Sequence, residues 1–384
     1  MKIGALFHSH PSDPTWSHTR LLREVLRFLA AKGDKVVAFV PEATVALRDP
    51  WEGIEVQAVR SPMEARNSRL GSWEFPRKVG NALDSSFDAM ISSGDLGGGG
   101  MFERGRRKGV LGVDWVQGVA PRYFDYANRE GLRGRLGLSL ERMLIPPFER
   151  SHLKRADVVI AASKRNKDDI HELYGLPLEA IYVLPNGATP VPPVTPEERA
   201  AARKALGLEE GRHYASFVGV DWYRKGLDVL RKSVEMLQAS GKPWTILNAG
   251  NSKTRSALEI GYGFIDGPTK RQMMAASDVF AFPTRYEGSP LPLPEAAGLG
   301  LPIITTAESS VDRGVPGTDY VEIPAGDAKA LVHALEWVAD HPQEARAMGE
   351  RARSTFFKWT WEDQANELRR ILSTELDRRR TRAS

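Results

Sequence analysis

The chain has 384 residues, of which 41% are hydrophobic and 27% are charged, and its formal net charge is +4. At roughly 150 residues per domain, this length predicts two or three domains, each able to bury its own core. The small net charge argues against nucleic acid as a partner. The lack of cysteine excludes disulfides, thiolate metal sites and a cysteine nucleophile.

The sequence shows no targeting segment. Met1 leads directly into a strand-like run, Lys2–Phe7, so we expect no signal peptide. No apolar run approaches the ~18 residues that a transmembrane helix requires. We therefore expect a cytoplasmic protein.

Strands and helices alternate through the first half of the chain. Helices are predicted over Thr19–Ala31, which has one broad apolar face, and from Lys164 to about Tyr174. The predicted strands are short apolar runs at Lys2–Phe7, Lys35–Val40, Ile54–Val59, Ala89–Ser92, Val110–Trp115, Ala156–Ala162 and Ile181–Leu184. This alternation predicts a doubly wound, largely parallel sheet.

A second alternating region follows a stiff linker, which is indicated by four prolines in residues 188 to 196. Its predicted strands are Tyr214–Val220, Trp244–Ala249, Gly263–Ile265, Val279–Phe282 and Leu301–Thr305. Its predicted helices are Pro196–Leu206, Gly226–Ser240, Thr269–Ser277, Asp327–Asp340, Pro342–Phe357 and a last helix after Trp361 to about Arg379.

The stretch Val279–Thr305 reads as a buried strand, a proline-rich loop, a short helix and a second strand. This is one right-handed crossover unit, in which ligands bind at the carboxyl ends of the strands, against helix N-termini. Glu287 lies in the loop and Glu295 in the first helical turn. Taken alone, the spacing of these two glutamates is weak evidence for a functional site, because the helix dipole by itself favours a Glu in the first turn.

The context of the pair is more specific. Glu-Gly-Ser-Pro-Leu-Pro-Leu-Pro-Glu-Ala, followed by Gly298 and Gly300, resembles the E-x7-E signature of the family 4 retaining glycosyltransferases. The segment from Ala156 to Gly187 also resembles the end of the N-terminal domain in that family. The resemblance implies an α/β architecture, the GT-B fold, with two Rossmann-like doubly wound domains facing across a cleft. It implies an acceptor-binding domain at residues 1–190, a nucleotide-sugar donor domain at 191–360, and a helix at 361–384 that packs back on the first domain.

The loop from Phe217 to Gly226 offers Arg224, able to form a forked hydrogen bond with a diphosphate, and Lys225, a point charge. On their own they would be read as a solvated pair at a helix start. By resemblance they bind the donor diphosphate, although many family members carry the Arg directly after the glycine, where this chain has Val220. The resemblance also implies that Glu287 contacts hydroxyls of the donor sugar and that Glu295 holds the ribose hydroxyls.

Backbone donors after Glu287 are limited by three prolines without N–H groups, so we expect the N–H of Leu291 to serve the phosphates. The predicted nucleotide-sugar-binding residues are Gly219, Arg224, Lys225, Gly263, Ser289, Leu291 and Glu295. In the first domain, Asp114 or Gln117 takes the place where many family members have a histidine. Asp114 there would orient the acceptor or the sugar, and a strand-end Asp capping a turn is an equally good interpretation.

These residues predict a retaining hexosyltransferase that moves a sugar from a UDP- or GDP-linked donor to a hydroxyl of a glycan, glycolipid or small-molecule acceptor. Glu287 and Asp114 are the predicted catalytic residues, and His18 and Gln117 are acceptor-side candidates. No metal or cofactor is expected, because there is no D-x-D motif and the eight histidines lack metal-ligand spacing. Two alternatives stay open: a GT-B sugar-nucleotide epimerase or hydrolase using Asp13, His18 and Asp114, and a catalytically inactive nucleotide-sugar-binding subunit.

Two local features remain. The glycines at 97–100 lack the context of a phosphate loop. Residues 101–155 hold twelve Lys or Arg against six Asp or Glu, and four arginines lie near the C-terminus. A solvated surface and tail explain this charge most simply. The other interpretation is contact with an anionic membrane or acceptor, which would make the protein peripheral at the inner membrane face.

Overall fold

The computed structural model describes residues 1–8, 17–42, 53–61, 71–93, 98–127, 131–250, 252–356 and 358–383. The chain divides into two compact units. Unit 1 comprises Met1–Phe124, Arg129–Gly187 and Trp361–Ser384, and unit 2 comprises Asp125–Asn128 and Ala188–Thr360.

The sheet of unit 1 has seven strands among the described residues, ordered β3-β2-β1-β4-β5-β6-β7 and parallel throughout. They are β1 (Lys2–Leu6), β2 (Lys35–Pro41), β3 (Ile54–Val59), β4 (Ala89–Ser92), β5 (Leu111–Val116), β6 (Val158–Ala161) and β7 (Ile181–Val183). All residues of β4, β5 and β6 are buried, which explains their continuous apolar sequences.

The helices of unit 1 include four that the sequence patterns did not predict. The first six along the chain are α1 (Ser17–Ala31), α2 (Gly71–Ala82), α3 (Gly98–Arg107), α4 (Ala120–Asp125), α5 (Gly131–Leu153) and α6 (Lys164–Tyr174). Pro76 lies inside α2, Pro146 and Pro147 lie inside α5, and α3 begins in the glycine run. Proline and glycine disfavour helices locally, so tertiary packing has overridden propensity at these places.

Unit 2 has a second doubly wound sheet of seven described strands, which differs from the first at one edge. Its strands are β8 (His213–Val218), β9 (Trp244–Ala249), β10 (Lys253–Arg255), β11 (Glu259–Gly263), β12 (Val279–Phe282), β13 (Ile303–Thr305) and β14 (Val321–Glu322). Its helices are α7 (Pro196–Ala205), α8 (Leu227–Ala239), α9 (Gly267–Ala275), α10 (Pro292–Gly298), α11 (Ala328–Asp340) and α12 (Pro342–Phe356). The strand order is β10-β11-β9-β8-β12-β13-β14, with only the β10–β11 pair antiparallel in the described sheet.

The strand order of unit 2 positions its loops. The order runs outward from β8 in one direction and from β12 in the other, so the topological switch point lies between these two strands. The carboxyl ends of parallel strands share one edge of a sheet, and ligands bind at such a switch point. The loops after β8 and β12 therefore become neighbours, although more than sixty residues separate them in the sequence.

The sequence-based prediction of two Rossmann-like domains with largely parallel sheets is confirmed. One strand was wrongly placed: the predicted Gly263–Ile265 begins where β11 ends. Phe264 is exposed, whereas alternate residues of β11 are buried. The last helix, α13 (Trp361–Ala383), belongs to unit 1, where Glu362 pairs with Lys32 at 3.0 Å and Arg369 with Asp34 at 2.9 Å.

Candidate active site

The loops after β8 and β12 are bound to each other at the switch point of unit 2. The main-chain oxygen of Arg224 accepts hydrogen bonds from the N–H of Arg285 at 2.7 Å and from Thr284 Oγ1 at 3.0 Å. Gly226 has φ +80°, and a Cβ at this position would lie 2.0 Å from the main-chain oxygen of Pro283. Only glycine fits at this position, so the close approach of the two loops requires Gly226.

Three charged side chains meet in this place. Oε1 of Glu287 accepts hydrogen bonds from Arg224 Nη1 and from Lys225 Nζ, both at 2.7 Å. Arg224 also donates to the main-chain oxygen of Tyr286 at 2.7 Å and to Asp221 Oδ2 at 2.9 Å. The side chains of Glu287, Arg224 and Lys225 are each about one-tenth exposed. Removing one partner from such an arrangement leaves a charge that is both desolvated and unpaired.

Glu287 is an anion at neutral pH. Burial alone would raise the pKa of this carboxyl, but the charges of Lys225 and Arg224 outweigh burial and hold the pKa below its ordinary value of 4.5. Both hydrogen bonds go to Oε1, and Oε2 accepts none from the described residues. That oxygen is therefore available to accept a hydrogen bond from a hydroxyl group.

Gly219 makes room for Lys225. A Cβ at Gly219 would lie 2.2 Å from Lys225 Cδ, so the lysine side chain runs directly over the glycine. Lys225 Nζ lies 5.0 Å from the ring centroid of Phe282, within the range of a cation–π interaction. The position of this cation thus depends on the glycine below it and on the last residue of β12.

Glu295 belongs to a separate ion pair. It lies in the first turn of α10, and Lys270 of α9 donates to its two oxygens at 2.8 and 2.7 Å. Both side chains are about one-fifth exposed. Sequence reasoning missed Lys270, and no local pattern around this lysine points to Glu295, because the contact spans 25 residues.

The remaining donor-site candidates lie on the backbone around these pairs. Leu291 precedes α10 with helical φ and ψ, and its N–H has no acceptor among the residues that the structure describes. Ser289 is half-buried in the same loop. Gly263 ends β11 with φ +71° and exchanges backbone hydrogen bonds with Ser252 and Gly250. Nucleotide-sugar binding by these residues stays a prediction.

The first-domain candidates are more dispersed. Asp114 is fully buried inside β5, and its Oδ2 lies 2.7 Å from Nε2 of buried His152. The catalytic role of Asp114 stays a prediction. Oε1 of Gln117 accepts a hydrogen bond from Asn186 at 3.1 Å. The backbone of His18 is in the first turn of α1, while its side chain and the whole of Asp13 lie outside the described residues.

A buried carboxyl beside Asp114 escaped prediction. Glu149 of α5 accepts hydrogen bonds from the Tyr174 hydroxyl and from the N–H of Ala120 at 3.0 Å. Burial raises the pKa of Glu149 to about 7 despite these hydrogen bonds, and the negative charge of Asp114 adds to the rise. The Glu149 carboxyl, which contacts the first residue of α4, therefore changes charge near neutral pH.

The described ranges contain no group of three or more His, Cys, Asp or Glu residues that could hold a metal ion. Across the same ranges, no helix has the length and apolar character needed to cross a membrane.

Each half of the chain matches a known protein family. Residues 18–187 match the family described as "Glycosyl transferase 4-like domain", and residues 212–341 match "Glycosyl transferases group 1". These two matches cover most of the two sheets described above. The chain therefore belongs to the family 4 type of glycosyltransferases, enzymes with the GT-B fold, as the sequence resemblance predicted.

Curated relatives agree with this assignment. A D-inositol 3-phosphate glycosyltransferase of Xylanimonas cellulosilytica is 29% identical over 231 residues, covering 53% of this chain and 54% of the relative. A GDP-mannose-dependent monoacylated alpha-(1-6)-phosphatidylinositol monomannoside mannosyltransferase of Corynebacterium glutamicum is 27% identical, covering 48% and 53%. The D-rhamnosyltransferase WbpZ of Pseudomonas aeruginosa is 28% identical, covering 59% and 60%. The chain thus spans little more than half the length of these relatives.

Solved structures show the same fold over almost the whole chain. Sucrose-phosphate synthase of Thermosynechococcus elongatus has a TM-score of 0.76 at 19% identity, covering 100% of both chains. HepE of Anabaena, in complex with UDP, has a TM-score of 0.74 at 15% identity, covering 97% of this chain and 100% of that one. At such identities the likeness establishes the fold alone.

Proposed function

We propose that this glycosyltransferase is a retaining enzyme that takes a hexosyl group from a nucleoside-diphosphate sugar without a metal ion. The observation that carries the proposal is the buried cluster of Glu287, Arg224 and Lys225 at the switch point of unit 2. It places cations and one available carboxylate oxygen where α/β sheets bind nucleotides. A diphosphate leaving group needs such cations, since negative charge grows on its oxygen as the bond to the anomeric carbon breaks.

Each member of the cluster receives a distinct role. Lys225 makes one hydrogen bond in the described structure, to Glu287, so its ammonium has further donors for a phosphate oxygen. Arg224 is held by Asp221, the Tyr286 oxygen and Glu287, and we propose that it fixes the carboxylate and adds positive potential. Oε2 of Glu287 accepts a hydroxyl of the donor sugar. The acceptor hydroxyl then attacks from the face that the diphosphate leaves, and its proton passes to the departing diphosphate.

The relatives indicate only a class of donor nucleotide and a class of acceptor for this chain. One relative is named for GDP-mannose, and HepE was solved with UDP. We therefore propose a UDP- or GDP-linked sugar as donor. The names of the curated relatives include an inositol phosphate and a phosphatidylinositol mannoside among their substrates. A hydroxyl on a small molecule, glycan or glycolipid is the acceptor class that we propose here.

Glu295→Ala is expected to weaken nucleotide binding about 10- to 100-fold, because charge-assisted hydrogen bonds to the ribose contribute about 1.5–3 kcal/mol. Isothermal titration with UDP, GDP and their sugars measures the effect. Glu336→Ala is the matched control, since Glu336 forms a 2.7 Å ion pair with Lys242 in the same unit. Lys270→Ala breaks the same ion pair but keeps the Glu295 carboxylate. Comparing the two variants therefore separates the effect of the carboxylate from the effect of the ion pair. Unchanged affinity in Glu295→Ala would contradict the assignment.

A second surface favours membrane contact, the alternative interpretation of the basic residues, over a purely solvated surface. Helix α5 exposes Leu140, Met143, Leu144 and Phe148, each between 39% and 64% accessible. Their spacing places these four side chains on one helical face, here named the α5 stripe. Arg142, Arg150 and Lys154 are also exposed on this helix and just after it. We propose that the α5 stripe lies in the interface of an anionic lipid bilayer, with apolar side chains inserted and cations at the headgroups.

Changing the α5 stripe is expected to abolish vesicle binding. The unmodified protein should sediment with phosphatidylglycerol vesicles, less so at high salt, and weakly with phosphatidylcholine vesicles. Met143→Asp/Leu144→Asp should remain in the supernatant, because two carboxylates oppose both insertion and charge attraction. The control is Phe264→Asp, at a similarly exposed apolar residue of unit 2. Equal sedimentation of variant and control would refute the proposal.

A further inference from the structure

A pocket of unit 2 lies at the opposite edge of the sheet from the candidate active site. It is lined near the starts of β8, β12 and β13 by His213, Asp278 and Pro302, and on the helical side by Arg199 and Arg346. His213 is the first residue of β8, and Asp278 directly precedes β12. The pocket is therefore separate from the loops that hold Lys225 and Glu287, which follow the carboxyl ends of these strands.

The acidic side chain of the pocket is already saturated. Arg203 donates to Asp278 Oδ1 and Oδ2, both at 2.8 Å, and the N–H of Tyr214 donates to Oδ2 at 2.8 Å. Arg203 also donates to the main-chain oxygen of Ala276 at 2.9 Å. Nη2 of Arg203 thus contacts both oxygens, and with three donated hydrogen bonds Asp278 has little capacity to balance another guanidinium.

Two further arginines, Arg199 and Arg346, line the pocket beside Asp278. Across the described residues, neither Arg199 nor Arg346 makes a salt bridge or a side-chain hydrogen bond. Nε of Arg199 is buried, and the side chain is half-buried on α7. Burial lowers the pKa of Arg199, the negative charge of Asp278 opposes this effect, and the positive charges of Arg203 and Arg346 add to the lowering. Three guanidinium groups thus share one carboxylate.

We infer that this pocket binds a phosphate group, either inorganic phosphate or the phosphate of a phosphomonoester. A tetrahedral oxyanion would accept charge-assisted hydrogen bonds from Arg199 and Arg346 and would supply the missing negative charge. Guanidinium is the side-chain group best matched to phosphate geometry. This inference goes beyond the proposed transfer reaction and does not depend on it.

Titration of the full chain with phosphate tests the inference. Sodium phosphate and glycerol phosphate, each added against sodium chloride at constant ionic strength, should raise the unfolding temperature. Arg199→Gln/Arg346→Gln should increase the apparent dissociation constant at least tenfold. Arg351→Gln is the matched control, because Arg351 lies on the same helix as Arg346 and binds only the Thr318 oxygen among described groups. A stronger response to glycerol phosphate would identify a phosphomonoester as the ligand, and equal responses would identify free phosphate.

Lys225→Met separates this pocket from the candidate active site, where phosphate would also be attracted. The phosphate response should survive in Lys225→Met and disappear in Arg199→Gln/Arg346→Gln. A response that is lost in Lys225→Met, or that persists unchanged in the double variant, would overturn the inference. Binding of nucleotide sugar, measured in the same double variant, reports on the proposed function independently.

Discussion

Glu287→Gln is expected to lower kcat about 100-fold or more, since loss of one preorganised electrostatic contact at a reacting centre costs about 10²–10³ in rate. Glutamine keeps the volume and one acceptor oxygen but removes the charge that holds Arg224 and Lys225 in place. The measurement is donor-sugar turnover with and without acceptor. Glu336→Gln, which breaks an ion pair elsewhere in unit 2, should leave turnover unchanged. Unaltered kcat in Glu287→Gln would contradict the role of Glu287, and isomerisation of the donor without acceptor would contradict transfer.

Glu287→Gln should also change how the free energy of unfolding depends on pH. The folded-state pKa of Glu287 is below 4.5, so ionised Glu287 contributes stability that is fully present above its unfolded-state pKa. That contribution is lost as the pH falls through the lower, folded-state value. The difference in free energy of unfolding between the natural chain and Glu287→Gln should therefore be full at about pH 7 and shrink below about pH 4.5. Urea denaturation across this range measures the difference.

Gly226→Ala is expected to destabilise unit 2 by about 2–5 kcal/mol. A left-handed conformation costs an alanine about 1–2 kcal/mol, and the clash with the Pro283 oxygen adds the cost of forcing a methyl into a packed site. Gly241→Ala is a close control, because Gly241 has φ +79° and an added Cβ would meet nothing within 4 Å. Urea denaturation should show about 1–2 kcal/mol for the control. Equal losses in both variants would show that the loops tolerate separation.

The strands were predictable because burial leaves a simple trace in the sequence. Val279–Phe282 and Ala89–Ser92 are continuous apolar runs in which every residue is buried, and both were placed at their observed limits. Helices α3 and α5 left no such trace, because glycines begin α3 and two prolines lie inside α5. A Cβ at Gly98 would lie 2.2 Å from His152 Cε1, so glycine here serves close helix packing.

The candidate site was predictable where topology alone brings residues together. Arg224, Lys225 and Glu287 follow two adjacent parallel strands, so their proximity follows from the strand order. Lys270 could not be found in this way, because the helix-to-helix contact with Glu295 depends on the rotation of both helices. The pairing of Asp114 with His152 was inaccessible for the same reason, since α5 itself was not predicted.

The position of α13 constrains how the protein is made. Unit 1 needs Trp361–Ala383, which is translated only after the long contiguous part of unit 2. The second Rossmann-like sheet can therefore mature while the first still lacks the partner that pairs with Lys32 and Asp34. During synthesis the surface of α1 that receives α13 stays uncovered until α13 itself has been translated. The nascent chain is then most exposed to aggregation, and to help from chaperones, on the half that was translated first.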